Sequence, residues 1–200
     1  MSENITTANQ QPRTARVVSQ TQEKKGLTTQ DLILIAVLLA AGAVLKLTVA
    51  SFFASFGMKP NFIIAMYCLA IILTKPSVLQ STIIGLIAGL ICQIPMLNAT
   101  PFLNIVSETL GALVCGLLIK VNMNPGGKFD LNPTVNTFIS TCVSGGTFAL
   151  MAIFINVILP GTGGVEAAIA AYAAIVLGTA TFNAVLNTIL VPPLRKVLKK

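Results

Sequence analysis

Charged residues are scarce in this sequence, and histidine is absent. Only 10% of the 200 residues are charged, whereas soluble domains carry about 25%. In contrast, 54% of the residues are hydrophobic, and the mean hydropathy is +0.85. Water cannot be the main solvent of such a chain, so the composition predicts an integral membrane protein rather than a soluble enzyme.

Motifs for metal binding, nucleotide hydrolysis and acyl transfer are also missing. The four cysteines lie apart in apolar surroundings without a C-x-x-C spacing, which argues against disulfides and a zinc site: Cys68, Cys92, Cys115 and Cys142. The turn Gly126-Gly127-Lys128 lacks the earlier glycine and final hydroxyl of a phosphate-binding loop, and G-x-S-x-G and H-E-x-x-H do not occur. We therefore expect no cofactor, no metal and no enzymatic activity.

Six apolar segments predict an all-α bundle of about six transmembrane helices. They cover roughly residues 32–50, 60–73, 78–94, 101–119, 134–159 and 165–190. The second is short, because about 13 residues rise only about 20 Å against a hydrocarbon thickness of about 30 Å. It must extend into its flanks or be sheltered by its neighbours. We expect a flexible polar tail at residues 1–27, a transmembrane domain at residues 28–194 and a basic tail at residues 195–200.

The distribution of lysine and arginine predicts the orientation. With six spans both termini lie on one side, and that side receives most cations: Arg13, Arg16, Lys24, Lys25, Lys75, Lys120, Lys128, Arg195, Lys196, Lys199 and Lys200. The opposite loops carry only Lys59 and Glu166. By the positive-inside rule both termini are cytoplasmic. The net charge of +7 therefore reflects membrane topology rather than nucleic-acid binding.

Two ionisable residues inside the apolar segments, Lys46 and Glu108, are the first candidates for a binding site. A charge within the bilayer costs several kcal/mol unless it faces protein, water or a partner charge. In the predicted topology both lie in the outer half of the membrane. Lys46 either extends to the outer headgroups or takes part in binding. Glu108 either makes a structural hydrogen bond or salt bridge to Lys46, or binds a cationic group of a ligand.

Further polar residues extend this candidate site. Asn104 lies four residues before Glu108 on the same helical face, which continues to Gly111 or Ala112, where small side chains leave space. Lys59 is predicted in the first outer loop, as a solvated charge or a ligand partner. Asn156, near the outer end of the fifth helix, is either a cap or interhelical bridge or a site residue.

Other patterns in the chain favour helix packing. Asn183 and Asn187 share a face nearer the cytoplasmic end, which favours an interhelical hydrogen bond. In the first helix, Ala36 and Ala40 belong to a surface of small residues that includes Gly42. This surface serves either internal packing or the docking of a partner helix.

Several motifs together resemble a known family. They are Gly57-Met58-Lys59-Pro60-Asn61-Phe62, Gln93-Ile94-Pro95, Asn104-Ile105 followed by Glu108, and Asn183-Ala184-Val185-Leu186-Asn187-Thr188. Over about residues 30–196 the chain resembles the substrate-binding S components of energy-coupling-factor (ECF) transporters, six-helix proteins with an alanine motif on the first helix. Within that group it is most similar to the bacterial tryptophan transport proteins, which have an aspartate where this chain has Asn61 and a lysine after Q-I-P-N-I-I-D that is absent here.

The resemblance implies a substrate-binding subunit of the cell membrane that takes up tryptophan or a related amino-acid-like or vitamin-like solute. A membrane coupling protein and two ATPases would supply the energy, and the coupling module would dock on Ala36 and Ala40. Lys46 or Lys59 would bind the solute carboxylate, and Glu108 its ammonium group. Apolar residues of the first outer loop would pack on an aromatic side chain: Phe52, Phe53, Phe56 and Met58.

Three alternatives remain open at the level of the sequence. A stand-alone secondary transporter would need no coupling module. An intramembrane enzyme would use Glu108 as an acid or base and would need a second catalytic group beside it. A structural membrane subunit would bind no solute.

Overall fold

The computed structural model describes residues 26–54, 61–94, 100–123 and 130–198, and these ranges form a helical bundle without strands. The helices are α1 (Thr29–Ala54), α2 (Phe62–Thr74), α3 (Val78–Ile91), α4 (Pro101–Leu118), α5 (Asn132–Ile153), which a π-helical turn (Phe154–Ile158) continues, and α6 (Val165–Leu198). The all-α prediction with six helices is confirmed. The expected polar tail up to residue 25 lies outside the described residues.

Local signals in the sequence set several helix starts. The backbone N–H and hydroxyl of Thr28 donate to Asp31 Oδ2 at 3.0 and 2.8 Å, and this pair caps α1. A capping box starts α3, in which Ser77 Oγ accepts from Gln80 N–H and the Gln80 side chain accepts from Ser77 N–H. Pro101 opens α4, where a missing N–H costs no helical hydrogen bond.

Two helix ends differ from the sequence expectation. Phe52 and Phe53 belong to the last turn of α1, whereas the sequence predicted a loop there. At the other end of the chain, α6 continues through Pro192 and Pro193, so Arg195 lies on a helix rather than in a tail. The ion pair of Arg195 Nη1 with Asp130 Oδ2, at 2.6 Å, anchors this extension.

The short helix α2 occupies the centre of the bundle. Every residue from Phe62 to Leu73 is buried, and α2 contacts all five other helices. This surrounding protein explains how a helix of about 20 Å exists in a membrane domain, since its ends need no contact with lipid. Of the two possibilities raised by its length, shelter by its neighbours is confirmed.

The exterior of the bundle is apolar. Three helical stretches are long and apolar enough to cross a membrane, namely Thr29–Val49, Asn132–Ile158 and Val165–Leu198, and the other three helices are apolar but shorter. Large apolar side chains such as Val37, Leu150 and Leu177 point outward. An apolar exterior around buried polar groups fits lipid rather than water, and the chain is a multi-pass membrane protein.

The small residues of α1 serve two different faces. Gly42 lies against α2, where an added Cβ would come within 3.1 Å of Ile63 Cα and Met66 Cβ. Ala36 and Ala40 are exposed, and each directly follows a buried residue, Ile35 or Leu39. Gly42 therefore permits internal packing. The docking role of Ala36 and Ala40 stays a prediction.

Both ends of the helical domain lie at the same end of the bundle. A cavity of about 300 Å³ is lined by Thr28 and Asp31 at the start of α1, by Lys75 after α2 and by Arg195 near the end of α6. We call this end the terminal face. The sequence predicts that it is cytoplasmic.

Candidate substrate site

Glu108 lies at the centre of the buried polar groups and is fully enclosed by protein. Its Oε1 accepts a hydrogen bond from Asn61 Nδ2 at 2.6 Å, and its Oε2 accepts one from Ser144 Oγ at 2.9 Å. The three residues come from α4, from the position before α2 and from α5. The carboxylate therefore connects three helices and has both oxygens fixed in direction.

The hydroxyl of Tyr67 and the Oδ1 atom of Asn61 also lie beside this carboxylate, and Asn61 Oδ1 has no hydrogen-bond partner among the described residues. The hydroxyl of Ser107, one residue before Glu108, is also buried without a partner there. The Tyr67 hydroxyl and the Ser144 side chain both lie where a side chain at Gly111 would have to go. The space that the sequence predicted beside Gly111 thus exists because residue 111 is glycine, but tyrosine and serine fill it.

Lys46 is half-buried and turns toward the protein. Its Nζ lies 3.6 Å from the sulfur of Cys92, which is fully buried. Within the described residues no ion pair joins Lys46 to Glu108, although the two charges interact electrostatically. Of the roles considered from the sequence, a direct salt bridge between them is absent, and Lys46 is a nearby cation held apart from the carboxylate.

Of the other predicted site residues, one lies close to Glu108, one lies far from it and one is outside the described residues. Asn104 is 2% exposed and lies one turn before Glu108 on the buried side of α4, so these two share a face as expected. Asn156 is exposed in the π-helical turn, and its Nδ2 donates to Ala152 O at 2.8 Å. It lies about 18 Å of helix rise beyond Ser144, so the structure does not bring it to Glu108. Lys59 lies outside the described residues.

Sequence reasoning missed Ser144, Tyr67 and the contact of Asn61. The signal for Ser144 was available, because polar residues recur every four positions along α5, which places them on one face: Asn132, Asn136, Ser140 and Ser144. This polar stripe faces α4, where Asn136 Nδ2 donates to Cys115 O at 3.1 Å. The Ser140 hydroxyl donates in turn to Asn136 Oδ1 at 3.1 Å.

A second set of hydrogen bonds joins α6 to α2 and α5. Asn183 Nδ2 donates to Asn61 O at 3.3 Å and to Thr141 Oγ1 at 3.4 Å. One turn later the same pattern recurs, with Asn187 Nδ2 donating to Ala65 O at 3.0 Å and to Thr137 Oγ1 at 2.9 Å. The interhelical role expected for the two asparagines is confirmed. Through Asn61, this set connects to Glu108 and Ser144. We call Asn61, Glu108 and Ser144 the Glu108 cluster.

Comparison with known proteins identifies the family of the chain. The family model described as tryptophan transporter TrpP matches residues 28–199. A curated relative, the probable tryptophan transport protein of Bacillus subtilis (strain 168), is 29% identical over 178 residues, which is 87% of this chain and 95% of the relative. No solved structure matches the chain. Because the family match covers the whole helical domain, the chain belongs to the tryptophan transporter family, a family of ECF-type S components.

Proposed function

We propose that this protein is the substrate-binding subunit of a tryptophan uptake system in the plasma membrane. Membership of the tryptophan transporter family supports this proposal, as does the name of the Bacillus subtilis relative. The observation that carries it is the fully buried carboxylate of Glu108 with the half-buried Lys46 nearby. An acidic and a basic group arranged in this way suit a zwitterion, whose two charged groups each need a partner.

The solute is bound by its charged groups at one end of the site. Lys46 or Lys59 binds the carboxylate, and Glu108 binds the ammonium group. Asn104 offers a further hydrogen bond from the same face of α4. The hydrogen bonds from Asn61 and Ser144 hold the Glu108 carboxylate in a fixed orientation, which lowers the entropy cost of binding. The hydroxyl of Tyr67 and the Oδ1 atom of Asn61, which lie beside the carboxylate, would offer further hydrogen bonds to the bound solute.

The apolar part of the solute is covered by residues near the end of α1 and after it. Phe52, Phe53, Phe56 and Met58 pack on the indole ring, because aromatic and thioether side chains both make favourable contacts with aromatic rings.

Partner proteins supply the energy for uptake. A membrane coupling protein docks on Ala36 and Ala40, and two ATPases bound to it hydrolyse ATP, while this chain performs no catalysis itself. The exposure of both alanines on the outside of α1 supports this part of the proposal, because small side chains let a partner helix approach closely.

The composition allows a direct test of tryptophan binding. The protein contains no tryptophan, so all indole fluorescence in a binding assay comes from the ligand. We expect the emission of tryptophan to shift to shorter wavelength when the purified protein is added, because the indole moves from water to an apolar site. We expect Glu108→Gln, which preserves the shape of the side chain, to lower the affinity roughly ten-fold or more, because a charge-assisted bond is lost.

The matched control is Glu166→Gln, which removes an exposed acid at the start of α6 and should leave the affinity unchanged. Absence of a spectral shift, or equal affinities for Glu108→Gln and the unmodified protein, would contradict the proposal. Uptake into vesicles that contain this chain alone, without ATP, would instead favour a stand-alone secondary transporter.

A further inference from the structure

A second cavity, of about 220 Å³, opens at the terminal face where α2, α4 and α6 end. Its lining combines cationic, polar and aliphatic side chains: Ile72, Lys75, Ile119, Lys120, Val121, Asn122, Met123, Asp130, Asn132 and Arg195. The length of α2, about 20 Å, separates Lys75 at this end from Asn61 at the Glu108 cluster. This cavity is therefore distinct from the proposed tryptophan site.

The charge of this cavity is strongly positive. Three cations, Lys75, Lys120 and Arg195, face one acid, Asp130, and that acid is already engaged by Arg195 at 2.6 Å. Among the described residues neither Lys75 nor Lys120 forms an ion pair, although Lys75 also lines the neighbouring cavity that contains Asp31. Lys75 adopts a left-handed conformation (φ 47°), and its N–H donates to Ile71 O, which fixes its position at the end of α2. Two exposed lysines thus lie at the mouth of the cavity, and neither forms an ion pair with Asp130.

Exposed apolar side chains adjoin these cations. Val121 lines the cavity and is 50% exposed, while Leu117 and Leu131, close in sequence to lining residues, are 48% and 43% exposed. A free anion would use the cations alone. A phospholipid uses both features, because its phosphate meets the cations at the headgroup level while its acyl chains follow the apolar surface of the helices.

We propose that this cavity binds the phosphate group of an anionic phospholipid, held by Lys75 and Lys120. Arg195 is fixed by Asp130 and closes the cavity on the side of α6. The site ties the ends of α2 and α4 to one lipid molecule of the leaflet at the terminal face.

Lipid binding to the purified full-length protein, in a neutral detergent, tests this proposal. Native mass spectrometry and thermal unfolding would be recorded with added phosphatidylglycerol or phosphatidylcholine. We expect phosphatidylglycerol to bind and stabilise the protein, and phosphatidylcholine to do so far more weakly. Lys75→Gln and Lys120→Gln should each lower the affinity for phosphatidylglycerol about five-fold, the effect of one cation near an anionic lipid surface.

Lys196→Gln is the matched control, because Lys196 is exposed on the last turns of α6 and does not line the cavity. Equal losses for Lys75→Gln and Lys196→Gln would overturn the site, since they would indicate nonspecific attraction to the basic face. Equal binding of the two lipids would also overturn it.

Two further measurements separate the alternatives. Inorganic phosphate at millimolar concentration should not protect the protein, and protection by phosphate without any effect of phosphatidylglycerol would reassign the cavity to a free anion. Asp130→Asn keeps an oxygen that can accept from Asn132 N–H but removes the acid, so it should tighten phosphatidylglycerol binding. Weaker binding to Asp130→Asn would contradict a site based on net charge.

Discussion

The helices α2 and α6 are both apolar, yet they occupy opposite environments. All of α2 from Phe62 to Leu73 is buried, whereas α6 buries only six positions, which are small or polar apart from one valine: Thr179, Ala180, Asn183, Ala184, Asn187 and Val191. Lipid tails are as apolar as leucine, so burial of apolar surface does not select the interior of a membrane bundle. Small and polar residues on one face of a helix identify its protein-facing side instead.

The difference in environment, protein around α2 and lipid around most of α6, also accounts for their different lengths. With 13 residues α2 rises about 20 Å, and with 34 residues α6 rises about 51 Å, against a hydrocarbon core of about 30 Å. A helix shorter than the bilayer is stable only where protein covers its polar ends. A helix longer than the bilayer can tilt or project beyond it.

The largest expected effect that tests this comparison is the loss of stability caused by a cavity at the centre of α2. Leu69→Ala should destabilise the protein by about 2–4 kcal/mol, because no lipid can reach the space left by a fully buried side chain. Leu177→Ala on α6, at a side chain 54% exposed, should cost less than about 0.5 kcal/mol because lipid fills the space. Denaturant unfolding in detergent measures both values. Similar losses at the two positions would show that α2 is not shielded as described.

Substitutions of two glycines, one on α4 and one on α6, should have smaller effects on stability, and these effects should be of opposite sign. Gly111→Ala should destabilise by about 1–3 kcal/mol, because the new methyl group would overlap the Tyr67 hydroxyl and the Ser144 side chain. Gly178→Ala on α6 meets no atom within 4 Å and should stabilise by about 0.5–1 kcal/mol through helix propensity. Thermal unfolding of the two variants gives the sign directly.

The added variant Tyr67→Phe tests the cause of the Gly111→Ala loss. It removes the hydroxyl from the overlap, so the double variant should recover part of the stability that Gly111→Ala loses. Purely additive losses would assign the effect to the backbone of α4 rather than to the contact with α2.

The smallest effect concerns the hydrogen bonds between α6 and α2. Asn187→Ala removes the donor to Ala65 O and Thr137 Oγ1 and should cost about 0.6–1.7 kcal/mol. Asn156→Ala removes only a bond to the carbonyl of Ala152 in the preceding turn and should be near neutral in unfolding experiments. A loss of tryptophan affinity in Asn156→Ala, without a loss of stability, would extend the substrate site to this residue.

The sequence predicted the number and order of the helices because each helix is a separate apolar run bounded by polar, glycine or proline residues. It did not predict helix ends that depend on tertiary contacts. Phe52 and Phe53 suited a loop as well as a helix, and beyond Pro193 the helix α6 continues to Leu198 with an ion pair from Arg195 to Asp130, a contact that the sequence does not show.

The sequence predicted only part of the candidate site, again because some of its features depend on tertiary contacts. Glu108 and Asn104 were identifiable, since a buried charge is conspicuous in an apolar run and a spacing of four puts both on one face. The contacts of Glu108 with Asn61 and Ser144 depend on how α2 and α5 are rotated in the bundle, which a single helical pattern does not determine. For Asn156 the sequence left three roles open, namely a helix cap, an interhelical bridge and ligand binding, because an asparagine on an apolar helix suits each of them.

Because α2 is enclosed by protein, the residues that it carries are shielded from changes in bilayer thickness. When hydrophobic mismatch changes, the helices in contact with lipid adjust their tilt, and every helix except α2 carries exposed large apolar side chains. Tyr67 lies on α2 and Asn61 directly precedes it, so both have little contact with lipid. Bilayer composition would therefore act on the outward face of α1, where a partner is proposed to dock, more than on Asn61 and Tyr67.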